Sequence, residues 1–292
     1  MNLAVQAETK QVVVTIKPIH ALVSGVMDGV NIPYLLLQGS ESPHNYSLRP
    51  SQVRQLHNAN LVIWIGPPVE SFLEKTITTL SDKTEFLRLL DVQGLTLLKA
   101  RHQGETWEIH HHGNYHDNGF DIDPHIWLNP QNAKVIVSVI VRTLSRLDAP
   151  NAIHYSANAK RLVARLDQLD QTLKRQLAPI KDLPYLVFHD AYQYFENRYE
   201  LKAMDAINLS PEVRLSARRL HQLRTSIKTQ QIRCVYSEPQ FDSALVLTII
   251  EGTSVRHGIL DPIGADLAAG TESYFILLQN MAKSLNQCLL AQ

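Results

Sequence analysis

Two cysteines in 292 residues, Cys234 and Cys288, leave no CxxC pair and no thiolate metal site. They read as two buried thiols or as one disulfide tying the last helix to a strand, an extracytoplasmic setting favouring the bond. An excess of charge is missing too. Lys+Arg and Asp+Glu each number 28, so no net field recruits nucleic acid or an anionic membrane. No uncharged run approaches the ~20 apolar residues of a membrane helix, and no HExxH helix marks a metallohydrolase. With 45% hydrophobic and 19% charged residues, the chain is expected to bury a sizeable core in two lobes.

Histidine is abundant. Thirteen are present, and five of them, His102, His110, His111, His112 and His116, fall within fifteen positions. Four further motifs each put one metal-grade side chain in a loop: Ser-Pro-His44, Asp-Pro-His125, Phe-His189-Asp190 and Leu-Asp261-Pro262. Imidazole is the commonest protein ligand for zinc-like ions, so this distribution points to a metal.

Strands and helices alternate from Gln11 onward, which predicts an α/β fold with mainly parallel sheets flanked by helices. Strands are expected at 11–16, 34–37, 61–65 and 85–90, with helices from Pro18, Pro50 and Pro67-Pro68, proline being tolerated in a first helical turn. The polar stretch 101–123 has no period and reads as a histidine-rich loop. Leu162, Leu166, Leu169, Leu173 and Leu177 recur at helical spacing in a long helix over 151–178, a rigid backbone between the lobes. The alternation restarts with strands at 185–188, 201–207, 232–236 and 255–260, and helices at 191–198, 212–229, 242–251 and 273–290. The expected units are an N-terminal lobe, 11–148, a linking helix, 149–179, and a C-terminal lobe, 180–292. His189 and Asp261 then fall just past the carboxyl ends of two strands, where ligands bind in open α/β sheets.

The pattern makes His44, His125 and His189 the expected metal ligands. Asp261 is the best-placed carboxylate for a fourth position, ahead of Glu41 and Glu238. Three imidazoles without sulfur favour zinc, copper or nickel, whereas oxygen-rich sites favour manganese. His57, His154 and His221 lie in amphipathic helices and His257 in a strand, and they read as ordinary structural residues. His20, in a first helical turn, is an accessory candidate. The cluster His102, His110, His111, His112 and His116 is expected to hold a second, weaker zinc, because a loop loses conformational entropy on binding. Val5-Gln6-Ala7 before Glu8 has the small residues of a signal-peptidase site without the basic and apolar regions expected ahead of it. Residues Met1 to Ala7 read as an export-signal remnant, the alternative being an ordinary N-terminus.

Ser42-Pro-His-Asn-Tyr46, Asp123-Pro-His-Ile-Trp-Leu128, Val187-Phe-His-Asp-Ala-Tyr192 and Leu260-Asp-Pro-Ile-Gly264 resemble, in order, the motifs of the metal receptors among the solute-binding proteins of ABC importers. The histidine-rich insertion resembles the zinc members. The resemblance runs from about residue 12 to 290 and implies two α/β lobes with one ion in the cleft. It implies His44, His125 and His189 as ligands, with Asp261 or water fourth, since Pro43 stands where zinc members often carry Glu. It also implies a Cys234–Cys288 disulfide, a periplasmic location, Zn2+ as transported cargo, a membrane permease as partner and a monomer without enzymatic activity. The alternatives are a manganese or other divalent-metal receptor, an adhesin of the same fold, and a zinc hydrolase.

Overall fold

The computed structural model describes residues 10–80, 83–101, 122–208 and 215–291. The expected signal remnant lies outside them, as do His102, His110, His111, His112 and His116.

The first sheet consists of β1 (Val12–Val14), β2 (Tyr34–Leu35), β3 (Leu61–Trp64) and β4 (Glu85–Arg88), all parallel, in the order β2-β1-β3-β4. β1 and β3 are buried at every position, as expected of parallel strands covered on both faces. Helices α1 (Lys17–Met27) and α2 (Pro50–Asn58) both open on proline. The predicted helix at Pro67-Pro68 is broken: α3 (Pro67–Glu70) and α4 (Glu74–Ile77) are separated by a 3-10 turn.

Helix α5 (Pro130–Leu147) starts where Asn129 accepts a hydrogen bond from the Gln131 amide. Helix α6 (Ala152–Leu177) then runs 26 residues, about 39 Å. Its predicted leucine stripe, Leu162 to Leu177, is buried. The second sheet repeats the order of the first. β5 (Tyr185–His189), β6 (Ala203–Asn208), β7 (Cys234–Ser237) and β8 (Arg256–Ile259) are parallel in the order β6-β5-β7-β8. They are interleaved with α7 (Gln193–Tyr199), α8 (Ala217–Thr229) and α9 (Ala244–Ile250), and α10 (Glu272–Leu290) closes the fold.

Two boundaries differ from expectation for local reasons. β6 begins at Ala203 because Glu200 takes a left-handed conformation at the end of α7. α8 begins at Ala217 because the Ser216 hydroxyl caps it through the Arg219 amide. Cys234 and Cys288 form the disulfide, joining β7 to α10.

One apolar core runs from Val12 and Val14 of β1 through α1, α5, α6 and α10 to Val187 of β5 and Tyr236 of β7. Close packing there depends on Gly25 of α1, where an added Cβ would lie 3.0 Å from Leu162 of α6 and 3.1 Å from Thr271. Polar bonds cross the same seam. The Trp127 indole donates to the Pro262 carbonyl at 2.7 Å, and the Tyr274 hydroxyl donates to the Trp127 carbonyl at 2.7 Å. Asp170 of α6 accepts from Gln131 of α5 and from Arg198 and Tyr199 of α7. The linking helix is therefore bolted to both sides of the molecule.

Candidate metal centre

His189 ends β5, and Glu238 directly follows β7, the neighbouring strand. The chain leaves β5 and β7 for opposite flanks of the sheet, so their carboxyl ends form the crevice where α/β sheets place ligands. The topology alone thus brings this pair together. The His189 Nδ1 donates to Glu238, 2.7 Å from Oε1 and 2.8 Å from Oε2.

His125 comes from the turn before α5. Asp123, two residues earlier, accepts from both the His125 amide at 3.0 Å and its Nδ1 at 2.7 Å. His44 sits in a 3-10 turn, Pro43–Asn45, beyond β2, where the Ser42 hydroxyl accepts from the His44 amide. Its Nδ1 donates to the Pro68 carbonyl at 3.1 Å. A carbonyl or carboxylate can only accept, so each ring carries its proton on Nδ1 and presents the Nε2 lone pair.

The three rings converge. Their centroids lie 5.6 Å apart for His44–His125, 5.9 Å for His44–His189 and 5.3 Å for His125–His189. One ligand nitrogen from each lies within 4.8 Å of the others. Three nitrogens around a tetrahedral zinc with bonds of about 2.0–2.1 Å stand roughly 3.3 Å apart, so small movements complete the site. His125 and His189 are buried, yet among the described residues their Nε2 atoms have no hydrogen-bond partner. Buried polar atoms in native proteins are nearly always satisfied, so two orphaned nitrogens this close together could hold an ion. Trp127 packs on His125 and Phe241 on His189, with ring centroids at 5.2 and 6.3 Å.

Electrostatics separates the rings. Burial and the nearby His189 push the His125 pKa well below the usual histidine value, which keeps that ring neutral. Burial also acts against protonation of His189, but the charge and hydrogen bond of Glu238, with Asp190 and Asp123, outweigh it and raise the pKa. Burial raises the Asp123 carboxyl to about 7 against the pull of the His125 amide and Arg101.

Three candidate ligands, Asp261, His20 and Glu41, are not in the three-histidine group. The Asp261 oxygens instead accept from the amides of Ile263, Gly264 and Ala265 and from the Gln240 side chain, a turn that Gly264 permits with φ +73°. His20 is buried in α1, where Nε2 donates to the Pro33 carbonyl at 3.0 Å and Nδ1 faces the Ser24 hydroxyl. It is a satisfied core histidine. Glu41 is also outside the group and pairs with Arg49 at 3.2 Å on the surface. The residues that aim the rings, Asp123, Glu238 and the Pro68 carbonyl, were not expected in that role. Only Asp123, inside an Asp-Pro-His motif, had a local signal.

A two-lobed parallel α/β fold with three convergent imidazoles defines the class of metal receptors. Residues 12–288 match the family described as ZnuA, zinc-uptake complex component A, periplasmic, and the chain belongs to that family. It is 41% identical over 309 residues to the high-affinity zinc uptake system protein ZnuA of Brucella abortus (strain 2308), covering 97% of this chain and 92% of the relative. The crystal structure of ZnuA superposes with a TM-score of 0.80 at 24% identity, covering 97% of this chain and all of that one. The periplasmic zinc-binding protein TroA from Treponema pallidum superposes at 0.81 and 18% identity, with 97% and 99% covered. These structural likenesses confirm the fold expected from the strand and helix alternation.

Proposed function

We propose that this protein captures Zn2+ in the periplasm through His44, His125 and His189 and delivers it, as a monomer, to the membrane permease of an ABC importer. The observation that carries the ligand set is the pair of buried, unpartnered Nε2 atoms on His125 and His189, facing the His44 ring. Three neutral nitrogens leave one tetrahedral position for water. Among the described residues no carboxylate belongs to the group, which favours zinc over the oxygen-preferring manganese.

The protein is a receptor, and the ion is cargo. A zinc hydrolase needs a general base beside the open position. Glu238 and Asp123 instead stand behind the rings, engaged with Nδ1, and so orient ligands. The test is competitive zinc titration of wild type, His125→Ala and His189→Ala. Wild type is expected to take up one tight equivalent in the cleft, and each variant to lose it. Retention of tight binding by His189→Ala would overturn the assignment.

A further inference from the structure

Arg101 pairs with two acids next to the metal centre. Its guanidinium reaches Asp190 at 3.0 Å and Glu196 at 2.8 Å, and both carboxylate side chains are almost wholly buried. Asp190 is the residue after His189, and Glu196 lies on α7. Arg101 itself belongs to a stem paired with the segment that carries His125. Lys99 bridges Ile122, and the Asp123 amide donates to the Leu98 carbonyl at 2.9 Å.

The stem is docked on α7 by more than Arg101. Gln193 donates to the Lys99 carbonyl at 3.0 Å. Tyr194 accepts from the Leu98 amide at 3.0 Å and donates to the Asp123 carbonyl at 2.8 Å. These neutral bonds hold the stem near the second lobe, but none reaches the loop beyond β5. Arg101 alone among these side chains ties the stem to the residue next to His189.

We propose that Arg101 is a positioning residue for the zinc site: its fork fixes the loop after His189 to the stem paired with the segment that carries Asp123 and His125, presetting two ligand nitrogens before the ion arrives. The proposal rests on the three-histidine reading given above. Its sign is diagnostic. Arg101 is a cation close to a site for a cation, so by Coulomb's law alone its removal should tighten zinc binding. A loss of affinity on removal therefore reports lost geometry.

The test uses the purified full chain with Arg101→Gln, Arg101→Lys and the double variant Arg101→Gln/Glu196→Gln. The single Gln variant leaves two buried carboxylates without their cation and is expected to unfold at a lower temperature. The double variant removes one charge of each sign and is expected to recover much of that stability. Zinc affinity by chelator competition should remain about 10–100-fold below wild type in the double variant, at unchanged stoichiometry, as for loss of a group that orients a ligand. Arg101→Lys, which keeps the charge without the two-pronged fork, should not restore wild-type affinity. The visible spectrum of the Co2+-loaded double variant should differ from that of wild type. Wild-type affinity in the double variant, tighter binding, or affinity recovering in step with stability would overturn the proposal. Loss of the single equivalent from wild type itself would instead sink the three-histidine reading.

Discussion

The two sheets share one strand order, yet they support their histidines differently. In the first lobe His44 is half-buried in a 3-10 turn and leans on a backbone carbonyl, that of Pro68. In the second, His189 is buried at a strand end and leans on a full negative charge, Glu238. A carbonyl orients a ring; a carboxylate orients it, makes its nitrogen a stronger donor to metal, and strengthens its hold on a proton. The contrast lies between two rings: His44 is accessible, whereas His189 is anchored and basic, and His125 of the first lobe is buried against Asp123.

Glu238→Gln should have the largest effect on this contrast. The amide keeps an acceptor for Nδ1 but loses the charge, and zinc affinity in competition titration should fall about 10–100-fold. Pro68→Ala, which keeps the carbonyl, should change it far less; equal losses would erase the difference between the lobes. The next effect is in pH. Zinc must displace a proton from His189, whose pKa is raised, so wild-type affinity should begin to fall while pH is still above the ordinary histidine value of 6.5. His125, whose pKa is lowered, should add little to that fall. In Glu238→Gln burial acts on His189 without its main opponent, so the affinity–pH curve should be shallower, by up to about tenfold per pH unit. A curve of unchanged slope would remove Glu238 as the cause.

The smallest effect on metal is expected at Glu70 of the first lobe. This buried carboxyl accepts from Thr15 at 2.6 Å and from the Ile65 and Gly66 amides, steadying the turn that bears Pro68. Burial raises its pKa from 4.5 to about 7. Between those values the unfolded chain releases the proton and the folded chain keeps it, so this group's contribution falls as pH rises through that window. Glu70→Gln does not titrate. Chemical denaturation should show wild type losing stability relative to the variant by on the order of 1 kcal/mol per pH unit there. Parallel curves would refute the raised pKa.

Much of this arrangement is legible in the sequence because short signals sit where local physics decides. β-branched runs such as Val12–Val14 read as strands, Pro50 starts a helix, and His189 at a strand end falls at a ligand-binding edge. The surroundings of Asp261 are not legible, because a carboxylate in an Asp-Pro turn looks free until the chain folds back and places three amides on it. Glu238 and Arg101 act across 49 and 89 residues, on His189 and Asp190 respectively. No local pattern encodes such distant pairing. The Pro68 carbonyl is invisible for a simpler reason: every residue has one.

The unbroken core between the lobes bears on how cargo leaves. Prising the seam open to wet Trp127 and Tyr274, both wholly buried, would cost roughly 10 kcal/mol at ~200 Å² per ring and ~25 cal/mol per Å². That is comparable with the whole stability of a typical domain, about 5–15 kcal/mol. Unloading by a wide clam-shell movement would thus come close to unfolding the carrier. The short turn bearing His44, the most exposed of the three rings, lies outside that buried core.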